Sequence, residues 1–242
     1  MATLMTPHVL GGAPWSVLWW PGIATGLVAM LLAWAVARFL VPGLPEPEPD
    51  TDDEFVKPTY RSLRHPRMIV PSMLLALAAG VLAPASGTLI WSTVALAGCG
   101  AALVVVDALT TYLPMRLHLL TSALMALGAI IGVTLLAPER WLPVLVGAVC
   151  GALASHALFW LIWRWGQGFG YGDVRLAALL GGWAGAQGVQ MWWQSLFAGV
   201  VVGAIVGVTM AAWRRRHPSP LGSAFPYGPA LWAGPFIALV LG

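Results

Sequence analysis

The stretch Thr88-Leu89-Ile90-Trp91-Ser92-Thr93-Val94-Ala95-Leu96-Ala97-Gly98-Cys99-Gly100-Ala101-Ala102-Leu103-Val104-Val105-Val106-Asp107 decides the fold. Nineteen uncharged residues precede a single acid. Roughly 20 apolar residues in a helix cross the ~30 Å hydrocarbon core of a bilayer, so the stretch reads as a transmembrane helix that ends on a carboxylate. Charge at membrane depth is costly, which makes Asp107 a candidate functional residue.

Outward from this run, others of the same kind recur at 16–42, 69–84, 117–137, 141–163, 174–187, 190–213 and 228–241. The expected fold is therefore all-α, a polytopic membrane helix bundle with about eight transmembrane segments. Runs 69–84, 174–187 and 228–241 are short enough to be tilted or partly re-entrant. The chain is 59% hydrophobic and 9% charged, with a mean hydropathy of +0.82, against about 25% charged residues in a soluble domain. Fourteen tryptophans, many near run ends, fit interfacial aromatic belts, with some packed between helices. No Lys or Arg precedes Arg38, so the first run lacks the basic flank of a cleaved signal and is expected to stay as a transmembrane helix. The prolines at 42, 45, 47 and 49 stop it, because each removes a donor and restricts the residue before it. The chain then divides into 1–68, one helix and a charged loop, and 69–242, a membrane-embedded core.

With the N-terminus outside, the connections at 85–87, 138–140 and 188–189 face outward and hold one basic residue, Arg140. The other eleven lie on or beside the opposite face, a positive-inside bias that makes this face cytoplasmic and puts Asp107 and Asp173 there together. Arg214-Arg215-Arg216-His217 reads as a topology anchor that can touch anionic lipid. The net charge of +3 is small and scattered over short loops, which argues against a nucleic-acid partner. Cys99 and Cys150 stand alone in apolar runs, so neither a disulfide framework nor a metal site is expected, and no cofactor is implied. His156, inside the fifth run, reads as a hydrogen-bonded interhelical residue in preference to a proton carrier.

Of nine carboxylates, six fall at Glu46, Glu48, Asp50, Asp52, Asp53 and Glu54, and Glu139 adjoins Arg140. The run of six reads as a solvated loop or, more sharply, as an electrostatic lure for a basic substrate. The remaining two acids have informative settings. Asp107 opens Asp107-Ala108-Leu109-Thr110-Thr111-Tyr112-Leu113-Pro114, and Asp173 closes Gly168-Phe169-Gly170-Tyr171-Gly172-Asp173 ahead of Val174-Arg175-Leu176. Two acids at helix ends on one face are the minimum equipment of an aspartyl protease. Close carboxylates cannot both ionise cheaply, so one takes a proton from water while the other, protonated, polarises the scissile carbonyl. Thr110, one turn from Asp107, can orient that carboxylate or bond its own helix. Arg116 and Arg175 are candidate ion-pair partners for the acids. Gly181, Gly182, Gly185 and Gly188 give the sixth run a smooth face for close packing. A different class, an ion-coupled transporter, would also use two membrane acids, but near the midplane and in related halves.

Gly170-Tyr171-Gly172-Asp173-Val174-Arg175-Leu176 resembles the Gly-x-Gly-Asp-Val-Lys-Leu signature of prepilin peptidases, the bacterial type IV leader peptidases, with arginine for the usual lysine. Asp107, Thr110, Leu113 and Pro114 are similar to that family's Asp-x-x-Thr-x-x-(Leu/Ile)-Pro. Pro226-Tyr227-Gly228-Pro229 resembles its Pro-(Phe/Tyr)-Gly-Pro element. Presenilin-type proteases share Gly-x-Gly-Asp and Pro-Ala-Leu, but their first motif is Tyr-Asp, whereas Val106 precedes Asp107 here. The resemblance implies an inner-membrane aspartyl peptidase with Asp107 and Asp173 as catalytic pair. Thr110, Pro114, Gly170, Gly172, Arg175, Pro226, Gly228 and Pro229 would support it. The implied substrate is a pilin, pseudopilin or competence-pilin precursor whose short basic leader precedes a hydrophobic helix. Long members carry paired Cys-x-x-Cys motifs in a loop linked to N-methylation, whereas the loop here is short and cysteine-free, which implies a peptidase without methyltransferase activity. Met115 replaces the polar residue that often follows the proline.

Overall fold

The computed structural model describes residues 15–46, 59–166, 170–216 and 225–242. Most of the acidic run (Glu48, Asp50, Asp52, Asp53, Glu54), Lys57, Gly168, Phe169 and His217 lie outside the described residues. Eight α-helices occur among the described residues, and no strand does. They are α1 (Trp15–Ala35), α2 (Pro66–Gly80), α3 (Ile90–Thr110), α4 (Met115–Leu136), α5 (Trp141–Trp165), α6 (Tyr171–Gln187), α7 (Val189–Arg214) and α8 (Gly228–Leu241). Each answers to one apolar run. α1 continues through a π turn at Val36–Leu40 and a 3-10 turn at Val41–Gly43 that ends in the proline-rich stretch.

The run that decides the fold is the axis of the bundle. Every residue of α3 from Ser92 to Asp107 is buried, as a helix apolar on all sides must be. Helices α1, α2, α4 and α8 surround it. Indoles cross-link this core: Trp183 Nε1 of α6 donates to Thr93 Oγ1 at 3.0 Å, and Trp232 Nε1 of α8 to the Leu96 carbonyl at 3.0 Å. Gly100 leaves room for the latter, since a Cβ there would stand 2.6 Å from the indole nitrogen. Both rings are buried, while Trp165 and Trp213 at helix ends are exposed, so interhelical and interfacial tryptophans are both present.

Helices α5 and α6 meet along glycines. A Cβ on Gly151 would lie 2.9 Å from the Gly185 Cα, and one on Gly185 would lie as close to the Gly151 Cα. This is the small-residue packing by which helices associate where no hydrophobic effect separates them from lipid. The outer faces of α4, α5 and α7 expose Leu135, Leu142 and Val208, each about 70% accessible. A surface of this kind is a lipid-facing one.

Among the described residues five stretches are long and apolar enough to cross a membrane: Trp20–Gly43, Ala83–Thr110, Met115–Leu136, Pro138–Trp165 and Val189–Arg214. Helices α2, α6 and α8 have 15, 17 and 14 residues. At 1.5 Å per residue they reach roughly 21 to 26 Å, short of the hydrocarbon thickness. The bundle is thus eight helices with five full-length spans, and the expected eight crossings are not carried by length alone. Two expected boundaries also move. α3 runs one turn past Asp107, and α6 starts before Asp173, so each acid sits in a terminal turn and not at a run's outer edge.

Candidate active site

The connections after α1, α3 and α5 converge at one end of the bundle. Around them lies a cavity of about 710 Å3 lined by Asp107, Asp173, Glu46, Tyr60, Tyr112 and Arg175, among others. Both acids are buried, at 4% and 6% exposure.

Asp107 occupies the last turn of α3. Thr111 ends the helix in the left-handed conformation, φ 59°, and Pro114 caps the next one, so the motif's four residues after Thr110 make the tight corner between α3 and α4. The carboxylate's anchor comes from the far end of the chain: the Gly228 N–H, at the start of α8, donates to Asp107 Oδ2 at 2.9 Å. A Cβ on Gly228 would stand 2.6 Å from that oxygen, which leaves glycine as the residue that fits. Pro229 follows where a helix start has no acceptor for an N–H. The half-buried Pro226 leads into this start. Between them Tyr227 is raised above the ordinary phenol range by burial and by the charge of Asp173, which sets it near the second acid.

Asp173 occupies the first turn of α6. Its Oδ2 accepts the N–H of Gly170 at 3.2 Å, and its own N–H donates to the Gly170 carbonyl at 3.0 Å, a reciprocal cap across three residues. Gly172 has a different task. A Cβ there would come within 2.9 Å of the Leu113 Cβ, so this glycine lets α6 rest on the α3–α4 corner and brings the two acid-bearing ends together. Asp173 Oδ1 is buried without a hydrogen-bond partner.

Arg175 pairs with neither acid. Its Nη1 donates to Met115 Sδ at 2.6 Å and its Nη2 approaches the Leu113 carbonyl at 3.5 Å, with the Tyr171 ring beneath it at 5.8 Å. Through these contacts the guanidinium reaches from α6 to the corner. Thr110 Oγ1 donates to the Val106 carbonyl at 2.8 Å and accepts the Tyr112 N–H at 3.2 Å, so of its two readings the backbone one holds. Arg116 lines the cavity. Among the described residues no group of His, Cys, Asp and Glu could hold a metal ion.

Sequence reasoning read Glu46 only as part of an acidic run that could attract a basic substrate, and did not bring it or Tyr60 into the cavity. Glu46 Oε2 accepts the Tyr60 N–H at 3.0 Å and Oε1 the Arg61 N–H at 3.4 Å. Burial, with Glu46 and Tyr112 adding to it, pushes the Tyr60 phenol up to about 12. No spacing signal marks either residue, because their position depends on how the loop after α1 folds back.

Residues 94–208 match the model of the type IV leader peptidase family, a stretch that includes both acids. Over this stretch the chain is similar to that family. The chain is 39% identical over 108 residues to the prepilin leader peptidase/N-methyltransferase of Pseudomonas putida, covering 42% of this chain and 35% of the relative. The corresponding Pseudomonas aeruginosa protein is 38% identical over 100 residues, 40% of this chain and 32% of the relative. A longer match, 29% identical over 188 residues, reaches 74% of this chain and 61% of the same-named protein of Pectobacterium carotovorum subsp. carotovorum. The chain thus spans about a third of the length of the first two relatives. No solved structure matches the chain significantly. Gly228, which holds Asp107, lies beyond residue 208, so the family match alone does not include the acid's anchor.

Proposed function

We propose that the chain is a membrane aspartyl endopeptidase that cleaves the short basic leader from type IV pilin-like precursors, with Asp107 and Asp173 as its acid–base pair and residues 69–242 as its core. The observation that carries the reading is the pair of buried carboxylates on one cavity, each holding a backbone N–H on Oδ2. In this chemistry the ionised carboxylate takes a proton from a shared water as its oxygen attacks the scissile carbonyl, and the protonated carboxyl gives its proton to the carbonyl oxygen. Collapse of the resulting diol breaks the C–N bond as a proton passes to the leaving amine.

Three features support a cytoplasmic site. The connections lining the cavity are those that the basic-residue bias places inside, a basic leader would arrive there, and the acids sit in terminal turns away from the midplane. This last feature favours the peptidase over a transporter relay. The short cysteine-free loop supports cleavage without methyl transfer.

The test is co-expression with a pilin precursor. Asp107→Asn and Asp173→Asn are each expected to slow processing by about a thousandfold, within the range of general acid–base catalysis. Normal processing by either amide overturns the assignment. Exhaustive chelation is expected to leave the rate unchanged, and incubation with S-adenosylmethionine to give a product whose mass shows cleavage alone.

A further inference from the structure

We propose that Glu46 is a specificity-determining residue that receives a lysine or arginine side chain of the substrate's leader and so sets which peptide bond reaches the acids. The inference rests on the peptidase reading. Its starting point is place: Glu46, with Leu44 and Pro45, forms the wall of the cavity contributed by the connection after α1, while Asp107 and Asp173 lie on the walls made by α3 and α6.

The carboxylate is fixed there. Its two oxygens each accept one backbone N–H, from Tyr60 and Arg61, and the donor segment is itself anchored, because the Tyr60 side chain is 3% exposed and packed in the hydrophobic core. These bonds position the group without neutralising it. No cation pairs with Glu46 among the described residues, and each oxygen keeps a lone pair for a charge-assisted bond to an ammonium or guanidinium. The side chain is exposed, so a substrate can reach it. An independent sign that the cavity takes a polar ligand is Asp173 Oδ1, on a residue 6% exposed, which has no partner. Arg175, also on the cavity, makes its hydrogen bonds to Met115 and Leu113 and none to Glu46.

This is a local contact, unlike a diffuse pull by the whole acidic run. Glu46→Gln keeps an acceptor for the backbone donors and removes the charge. It is expected to raise KM for a lysine-bearing pilin precursor about fivefold, the scale of one solvent-accessible ion pair, with kcat unchanged. With a precursor whose leader lysine is alanine, the same variant should have no further effect. Glu46→Lys should fail on the lysine precursor and recover on one whose leader lysine is glutamate, a rescue that a misfolded loop cannot give.

An equal rise in KM for the neutral leader, a fall in kcat at constant KM, or no charge-swap rescue would overturn the proposal. So would a larger effect from neutralising Glu48, Asp50, Asp52, Asp53 and Glu54 with Glu46 intact. If Asp107→Asn still processes, the peptidase reading fails. If it is inactive while the Glu46 variants behave as wild type, only this inference fails.

Discussion

The two acid-bearing helix ends reach similar burial by opposite means. Asp173 is held by its own helix: the N–H that it accepts is three residues away, at the cap of α6. Asp107 is held across the fold, by an N–H 121 residues later in the chain. The helix dipoles make sense of the difference. An acid in the first turn of a helix lies at the positive end of the macrodipole, whereas one in the last turn lies at the negative end. The start of α8, placed against Asp107, supplies the favourable end that α3 does not. One acid is thus positioned by local sequence, the other by tertiary assembly of α3 and α8.

The largest expected effect short of removing an acid tests that contrast. Gly228→Ala puts a methyl 2.6 Å from Asp107 Oδ2 and must displace the carboxylate or α8, whereas Gly170→Ala meets Asp173 Oδ2 at 3.6 Å, an ordinary contact. A misplacement of about 1 Å can slow an enzyme about a hundredfold, so Gly228→Ala should lose about that much kcat/KM. Gly170→Ala, whose φ of −77° suits alanine, should stay within about twofold. Equal losses in a precursor-processing assay would break the contrast between tertiary and local positioning.

This asymmetry also explains how much could be read beforehand. Apolar runs gave eight helices to within a few residues because lipid-facing and buried faces are both apolar, so no periodicity has to be recognised. The neighbourhood of Asp173 was legible in that Gly170, three residues upstream, was expected to support the site, although not as the acid's cap. The service of Gly228 to Asp107, the seat of Gly172 on Leu113 and the return of Glu46 to the cavity were not, since each depends on contacts between segments far apart in sequence. Crossing number was illegible for another reason: α2, α6 and α8 are shorter than the hydrocarbon layer, and hydropathy does not say how a short helix is accommodated.

A middle-sized effect concerns the approach of the two ends. Gly172→Ala would place a Cβ 2.9 Å from the Leu113 Cβ, which belongs to a corner fixed by Thr111 and Pro114. The strain has to be taken up by sliding α6, carrying Asp173 away from Asp107 while its local cap stays intact. The variant should lose about tenfold in kcat/KM, between the two alanine variants above, with little change in melting temperature. A loss no greater than that of Gly170→Ala would mean that the α6–corner spacing does not set the distance between the acids.

The smallest expected effect isolates the tie that keeps this spacing. Arg175 spans from α6 to the corner through two guanidinium nitrogens, one on Met115 Sδ and one toward the Leu113 carbonyl. Lysine carries its charge at a single point and cannot hold both at once. Because Asp173 keeps its own cap, Arg175→Lys should not disorder the acid but only loosen the helix end, lowering kcat/KM by about two- to fivefold, the scale of an exposed polar contact. Met115→Ala should give a loss of the same size, and the double variant no more than either alone, since both remove one interaction. Additive losses would show that Arg175 acts on the site by another route, and Asp173 would then share the tertiary dependence assigned here to Asp107.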